Sequence, residues 1–165
     1  MSGGGEYGNL PFTFEHAELA RNFGTENSPC LRRKYGVIIA DNYGEYIYAA
    51  NTRVGKECTD KYCIRDMLGV QSNTNTEIGA EIHAEQAALI KWAKINISTY
   101  SYHILIAGTN HIGPLDGMQN KPCYACAKMI KFAGFDFIWM PFGDRIAPVS
   151  ISGVIEEYEF THQDI

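Results

Sequence analysis

The chain has 165 residues, 45% hydrophobic and 20% charged, with a formal net charge of −5. That length supports one domain with a real core. The acidic balance argues against wrapping a long polyanion, which takes Lys and Arg in quantity, whereas one or two Arg still serve a small anionic substrate.

Residues 1–13 read as a flexible leader ahead of a single domain over 14–165. Met1 to Gly8 lacks the basic patch and apolar core of a signal peptide. No stretch approaches the length of a membrane span. Five cysteines are an odd number, a pattern of a reduced, cytoplasmic protein rather than a disulfide framework.

Phe14 to Phe23 has apolar residues near helical spacing, and Gly24 is placed to end that helix. Tyr35 to Ala40 is an apolar run with β-branched Val37, Ile38 and Ile39. Asp41-Asn42-Tyr43-Gly44 is turn chemistry, and Glu45 to Ala50 completes a hairpin. Asn51 to Asn75 is a long irregular stretch, of a kind that is usually functional inside a compact domain. A helix over Ile82–Ile95 carries Ala84, Ala88, Trp92 and Ile95 on one stripe. Tyr102–Ala107 reads as a buried strand and Gly108–Asn120 as a loop. Pro122–Ala133 reads as a helix closed by Gly134, with Pro122 tolerated in its first turn. Phe135–Met140 is a further strand. Val149–Phe160 fits strand or helix. Strands alternating with helices imply an α/β fold with a mostly parallel sheet and an antiparallel hairpin at its start.

Two motifs carry chemistry. His83-Ala84-Glu85 and Pro122-Cys123-Tyr124-Ala125-Cys126 supply one imidazole and two thiols, a set that suits Zn²⁺ and leaves a fourth tetrahedral position for water. Glu85 adds a carboxylate that need not bind metal. H-x-E paired with P-C-x-x-C is the zinc-deaminase signature, in which the glutamate is the proton shuttle. The bland alternatives are a structural zinc site or a redox C-x-x-C pair. A structural site usually brings a second Cys or His pair, and none stands here. His83 and Cys123 lie near helix starts, where the positive end of the dipole favours a thiolate. For Glu85 the alternative is a solvated carboxylate on a helix face.

With these motifs, residues 28 to 142 resemble the cytidine and deoxycytidylate deaminase superfamily, and most closely its dCMP deaminases. The likeness runs through Ser28-Pro29-Cys30-Leu31-Arg32-Arg33-Lys34-Tyr35-Gly36, Asn51, Cys58, Cys63-Ile64-Arg65, His83-Ala84-Glu85-Gln86 and Pro122-Cys123-Tyr124-Ala125-Cys126-Ala127-Lys128. The resemblance implies a three-layer α/β/α sandwich around a mixed five-stranded sheet. It implies zinc on His83, Cys123 and Cys126, and Glu85 as shuttle. It implies a hydrolytic deamination of a cytosine nucleotide, dCMP to dUMP plus ammonia. Asn51 matches the position of a substrate-pocket residue, with a turn residue as the alternative. Arg53, Lys56 and Arg32-Arg33-Lys34 are candidates for the substrate phosphate, although each alone reads more readily as a solvated charge. A homo-oligomer is implied as well.

The chain also departs from the pattern. The family usually has an Asn two residues after the H-A-E glutamate, and here that position is Ala87. Cys30, Cys58 and Cys63 could hold a second zinc, completed by Glu77 or His111, or could be buried free thiols. Gly108–Asn120 is longer than the simplest members suggest. The competing readings are a deaminase of a base in RNA or DNA, and an inactive zinc-bearing regulatory domain.

Overall fold

The β-branched run around Val37 forms the strand against which the rest of the protein is laid, β1 (Arg33–Asp41). The computed structural model describes residues 10–41, 46–53, 69, 81–95 and 102–161. Val37 to Ala40 are buried in succession, because β1 has a layer on each face and needs apolar side chains on both.

Helix α1 (Phe14–Asn27) precedes β1. Its N-terminus is capped at Thr13, whose N–H donates to His16 Nδ1 at 2.9 Å. The helix does not stop at Gly24 as the composition suggested. Gly24 lies inside it, buried against β1, where a Cβ would come within 2.6 Å of the Tyr35 carbonyl carbon. Glycine here allows close helix–strand contact rather than ending a helix. Gly36 does the same from the strand side: its Cβ would fall 1.7 Å from the Ala20 carbonyl oxygen. Phe12, in the segment read as leader, is buried and meets Trp139 edge-on at 6.4 Å.

β2 (Tyr46–Ala50) pairs antiparallel with β1, so the expected hairpin forms. Most of its turn, residues 42–45, lies outside the described residues. Within the expected irregular stretch, β3 (Thr52–Arg53) pairs with β4 (Glu81–Ile82). Lys56, Cys58, Cys63 and Glu77 lie outside the described residues.

Helix α2 (Ala84–Ile95) starts two residues later than its periodicity suggested, because β4 takes Ile82. Strand β5 (Tyr102–Asn110) runs three residues further than expected. The segment after it closes with a 3₁₀ turn over Gly117–Asn120. Helix α3 (Tyr124–Phe132) follows, then β6 (Phe137–Phe142), β7 (Arg145–Ser150) and α4 (Ile151–Thr161). The ambiguous C-terminal segment is therefore a strand end followed by a helix.

The sheet order is β2-β1-β5-β6-β7. Only β5 and β6 pair in parallel; β1 is antiparallel to both of its neighbours, and β7 is antiparallel to β6. This corrects the expectation of a mostly parallel sheet. The strands joined by helices do run the same way: β2 to β5 across α2, and β5 to β6 across α3. But β1, the hairpin partner, sits between β2 and β5 instead of at the sheet edge, so its contacts are antiparallel.

Helix α1 covers one face, where Phe12, Ala17 and Ala20 pack on Ile38, Leu105 and Ala107. The other face carries Val37, Ile39, Ile104, Ile106, Ile138 and Met140 against Ala84, Ala88 and Leu89 of α2, Ile130 of α3 and Ile151 of α4. The result is a mixed five-stranded sheet between helical layers, an α/β sandwich. Among the described residues, no helix is long and apolar enough to cross a membrane.

Candidate active site

His83 stands immediately before the first turn of α2. Its N–H donates to Gln86 Oε1 at 3.0 Å and its carbonyl accepts from Ala87 N at 3.0 Å. Gln86 thus reaches back from the third helical position to the cap residue, half of a capping box, and this fixes the backbone that carries the imidazole. Cys123 is the cap of α3. Its sulfur accepts from Cys126 N at 3.5 Å, as an oxygen would in a conventional cap. Two helix N-termini therefore present the three candidate ligands, and both dipoles favour negative charge between them.

The geometry is tight. His83 Nδ1 lies 3.5 Å from Cys123 Sγ and 3.3 Å from Cys126 Sγ, and the three ligand atoms fall within 4.8 Å of one another. A tetrahedral zinc has metal–sulfur bonds of about 2.3 Å and metal–nitrogen bonds of about 2.0 Å, which sets its N···S edges near 3.5 Å. The observed separations match those edges, and the donor set is of the borderline-to-soft type that zinc takes. The His83, Cys123 and Cys126 group could hold a metal; no other such group occurs among the described residues.

The two sulfurs shift each other's ionisation in opposite directions. The hydrogen bond from Cys126 holds the Cys123 thiol down to about 4 against the opposing effect of burial, with further help from the His83 ring and the Cys126 N–H. The same bond, seen from the donor, pushes Cys126 up, and burial adds to it.

Glu85 lies in the first turn of α2 and is only 4% exposed. Burial raises its pKa, while the nearby His83 and a hydrogen bond with the Cys126 thiol work the other way. A carboxyl this deep is not the solvated helix-face residue that composition alone would favour.

Asn51 is 6% exposed at the end of β2. Its Oδ1 accepts from Tyr35 N at 2.8 Å and its Nδ2 donates to the Arg33 carbonyl at 3.0 Å. Two of the amide's four hydrogen-bonding sites thus tie β2 to β1. Arg53 follows in β3, paired through the main chain with Glu81. In the basic cluster, Lys34 Nζ donates to the Ser28 carbonyl, and Arg33 Nη1 donates to the Tyr35 hydroxyl at 3.1 Å. Cys30 is half-buried.

Three site residues had no assigned role in the sequence. Gln86 had a readable signal, since a side-chain amide three residues after the cap is a capping pattern. Tyr35 had none. Its ring lies over Gly108, where a Cβ would meet Cδ1 at 2.5 Å, and its hydroxyl donates to the Gln119 carbonyl at 3.4 Å. Burial raises its pKa despite the Arg33 guanidinium. Tyr158 of α4 donates to the Pro122 carbonyl at 3.1 Å, one residue before Cys123; burial and the Cys123 charge push its pKa up to about 12.

No family model matches the chain, and no curated protein matches it in sequence. Solved structures do. A cytidine deaminase from Burkholderia pseudomallei superposes over 86% of this chain and 92% of its own, at a TM-score of 0.53 and 18% identity. A dCMP deaminase from the cyanophage S-TIM5 superposes over 88% of this chain and 87% of its own, at 0.51 and 24%. The chain has the cytidine-deaminase fold. Within that fold, the sheet and helices bring His83, Glu85, Cys123 and Cys126 together from two motifs far apart in sequence. Asn51 directly follows β2, Arg53 lies in β3, and Arg33 opens β1, which is antiparallel to β2.

Proposed function

We propose that this protein is a zinc-dependent hydrolytic deaminase acting on a cytosine nucleotide, dCMP to dUMP plus ammonia. The observation that carries the reading is the buried Glu85 carboxyl beside three ligand atoms spaced as zinc requires. A carboxyl buried without such chemistry is costly.

Bound zinc would supply Lewis acidity, making water nucleophilic near neutral pH. His83, Cys123 and Cys126 would hold it, with the helix N-termini stabilising the thiolates. Glu85 accepts a proton from the attacking water at its carboxylate and delivers it to N3 of the base; it then takes the second proton, from the hydroxyl added at C4, and passes it to the C4 amine, which leaves as ammonia. Burial of Glu85 keeps bulk water from competing for that proton. Asn51, anchored to β1 by half of its amide, offers the other half to the nucleoside. Arg53 is proposed for the phosphate, with Arg33 as a second cation at the start of β1. The acidic net charge supports a free nucleotide over a polynucleotide. The dCMP deaminase of the cyanophage points the same way.

Thiol ligands suit a reducing compartment such as the cytoplasm. A homo-oligomer is proposed too; Phe132 and Phe160 are apolar side chains left on the surface of α3 and α4, and self-association would cover them.

The experiment is ammonia release from zinc-loaded protein given dCMP, dCTP, cytidine or tRNA. Release from dCMP above the others is expected. Release from tRNA alone would move the substrate to a polynucleotide, and no release from any would leave a metal-binding domain without this activity.

A further inference from the structure

The segment between β5 and Cys123 turns on one residue. Asn120 is polar, yet it is fully buried. Its Oδ1 accepts from Gly108 N at 2.9 Å, and its Nδ2 donates to the Leu115 and Gly117 carbonyls, each at 3.2 Å. A buried amide with three of its four hydrogen-bonding sites engaged fixes the chain around it, because moving it leaves buried polar groups unpaired.

The groups that it joins are themselves held. Gly108 pairs with Tyr35 across β1 and β5. Leu115 N donates back to the Gly108 carbonyl at 2.8 Å. The Leu115 carbonyl also accepts from Arg21 Nη2 of α1 at 2.9 Å. Lys121 N closes the 3₁₀ turn on the Met118 carbonyl at 3.1 Å. Tyr158 then takes the Pro122 carbonyl, and Cys123 follows. Asn120 is therefore where the end of β5, the connecting segment and α1 converge, three residues ahead of a candidate metal ligand.

We infer that Asn120 is a positioning residue of the metal centre: its side-chain amide sets where α3 begins, and so where Cys123 and Cys126 stand relative to His83. The inference rests on the metal reading of that centre. An imidazole and two thiols on separate helices bind well only when their spacing is held.

The test uses the full chain and Co²⁺ as the probe, whose visible bands report ligand identity and geometry. The parent, Asn120→Ala, Asn120→Asp and Ile38→Ala are titrated, with far-UV circular dichroism and urea unfolding on each. Asn120→Asp keeps the acceptor for Gly108 N and loses both donors; Ile38→Ala opens the core on the α1 face of the sheet, opposite the helices that carry the ligands. Both Asn120 variants are expected to bind Co²⁺ on the order of 10- to 100-fold more weakly, the scale for groups that orient ligands without touching metal, with displaced bands. Ile38→Ala is expected to lose stability but keep the parent's affinity and spectrum. The inference is overturned by a folded Asn120 variant with the parent's affinity and bands, or by an equal loss of affinity in Ile38→Ala. A parent that takes up no Co²⁺ overturns the metal reading itself, a separate outcome.

Discussion

Cys126 Sγ lies 3.3 Å from His83 Nδ1, so the third residue of one helix meets the residue that caps another. Neither helix could supply the three ligands alone. Replacing Cys126 by Ser exchanges a soft donor for a hard, shorter one at the most buried of the three positions. We expect the parent to lose its metal to a chelator and to recover it on addition of Zn²⁺, and Cys126→Ser to retain little metal in either state. Elemental analysis after desalting reads this directly. Full zinc occupancy in the variant would remove Cys126 from the ligand set.

Glu85 is expected to matter to turnover and not to loading. Glu85→Gln keeps the shape of the side chain and removes its ability to accept a proton. Ammonia release from dCMP should fall by roughly 10²- to 10⁴-fold, the usual contribution of a general acid–base group, while metal content stays at the parent's level. A variant that turns over normally contradicts the shuttle assignment.

For Asn51, stability is the first readout. Asn51→Ala leaves Tyr35 N and the Arg33 carbonyl without their side-chain partner, and an orphaned buried group costs about 1–3 kcal/mol. The urea midpoint should drop accordingly. If Asn51 also contacts the nucleoside, KM for dCMP rises in protein that is still fully folded at the assay temperature; an unchanged KM confines the residue to joining β2 and β1.

Gly36 tests the packing of α1 on the sheet. A methyl group there would stand 1.7 Å from the Ala20 carbonyl oxygen, too close for any rotamer to relieve. Gly36→Ala should therefore destabilise by at least the roughly 1–3 kcal/mol typical of overpacking, seen as a lower midpoint in denaturant unfolding. An unaltered midpoint would mean that α1 is free to lift away from β1.

The candidate site was legible in the sequence because it is written in rare residues at short spacing. His83, Glu85, Cys123 and Cys126 are found together where the two motifs suggested, and the β1–β2 hairpin followed from β-branched residues on either side of a turn. What could not be read depends on non-local pairing. Gly24 looks like a helix stop until β1 is seen pressed against it. The placing of β1 between β2 and β5 has no local signature, since hydrophobic periodicity reports a strand and not its neighbours. Strand β7 was hidden because Pro148 stands inside it and interrupts the β pattern. Asn120 reads as an ordinary turn residue in sequence, and only the folded segment shows how its amide is used.

The antiparallel ladder between β1 and β5 joins Asp41 to Tyr102 and Arg33 to Asn110. During synthesis, the N-terminal helix and hairpin can form early, but the midline of the sheet must wait until Asn110 has left the ribosome. Until then the apolar flank of β1 has no cover from β5, and its exposed edge is open to pairing with other strands.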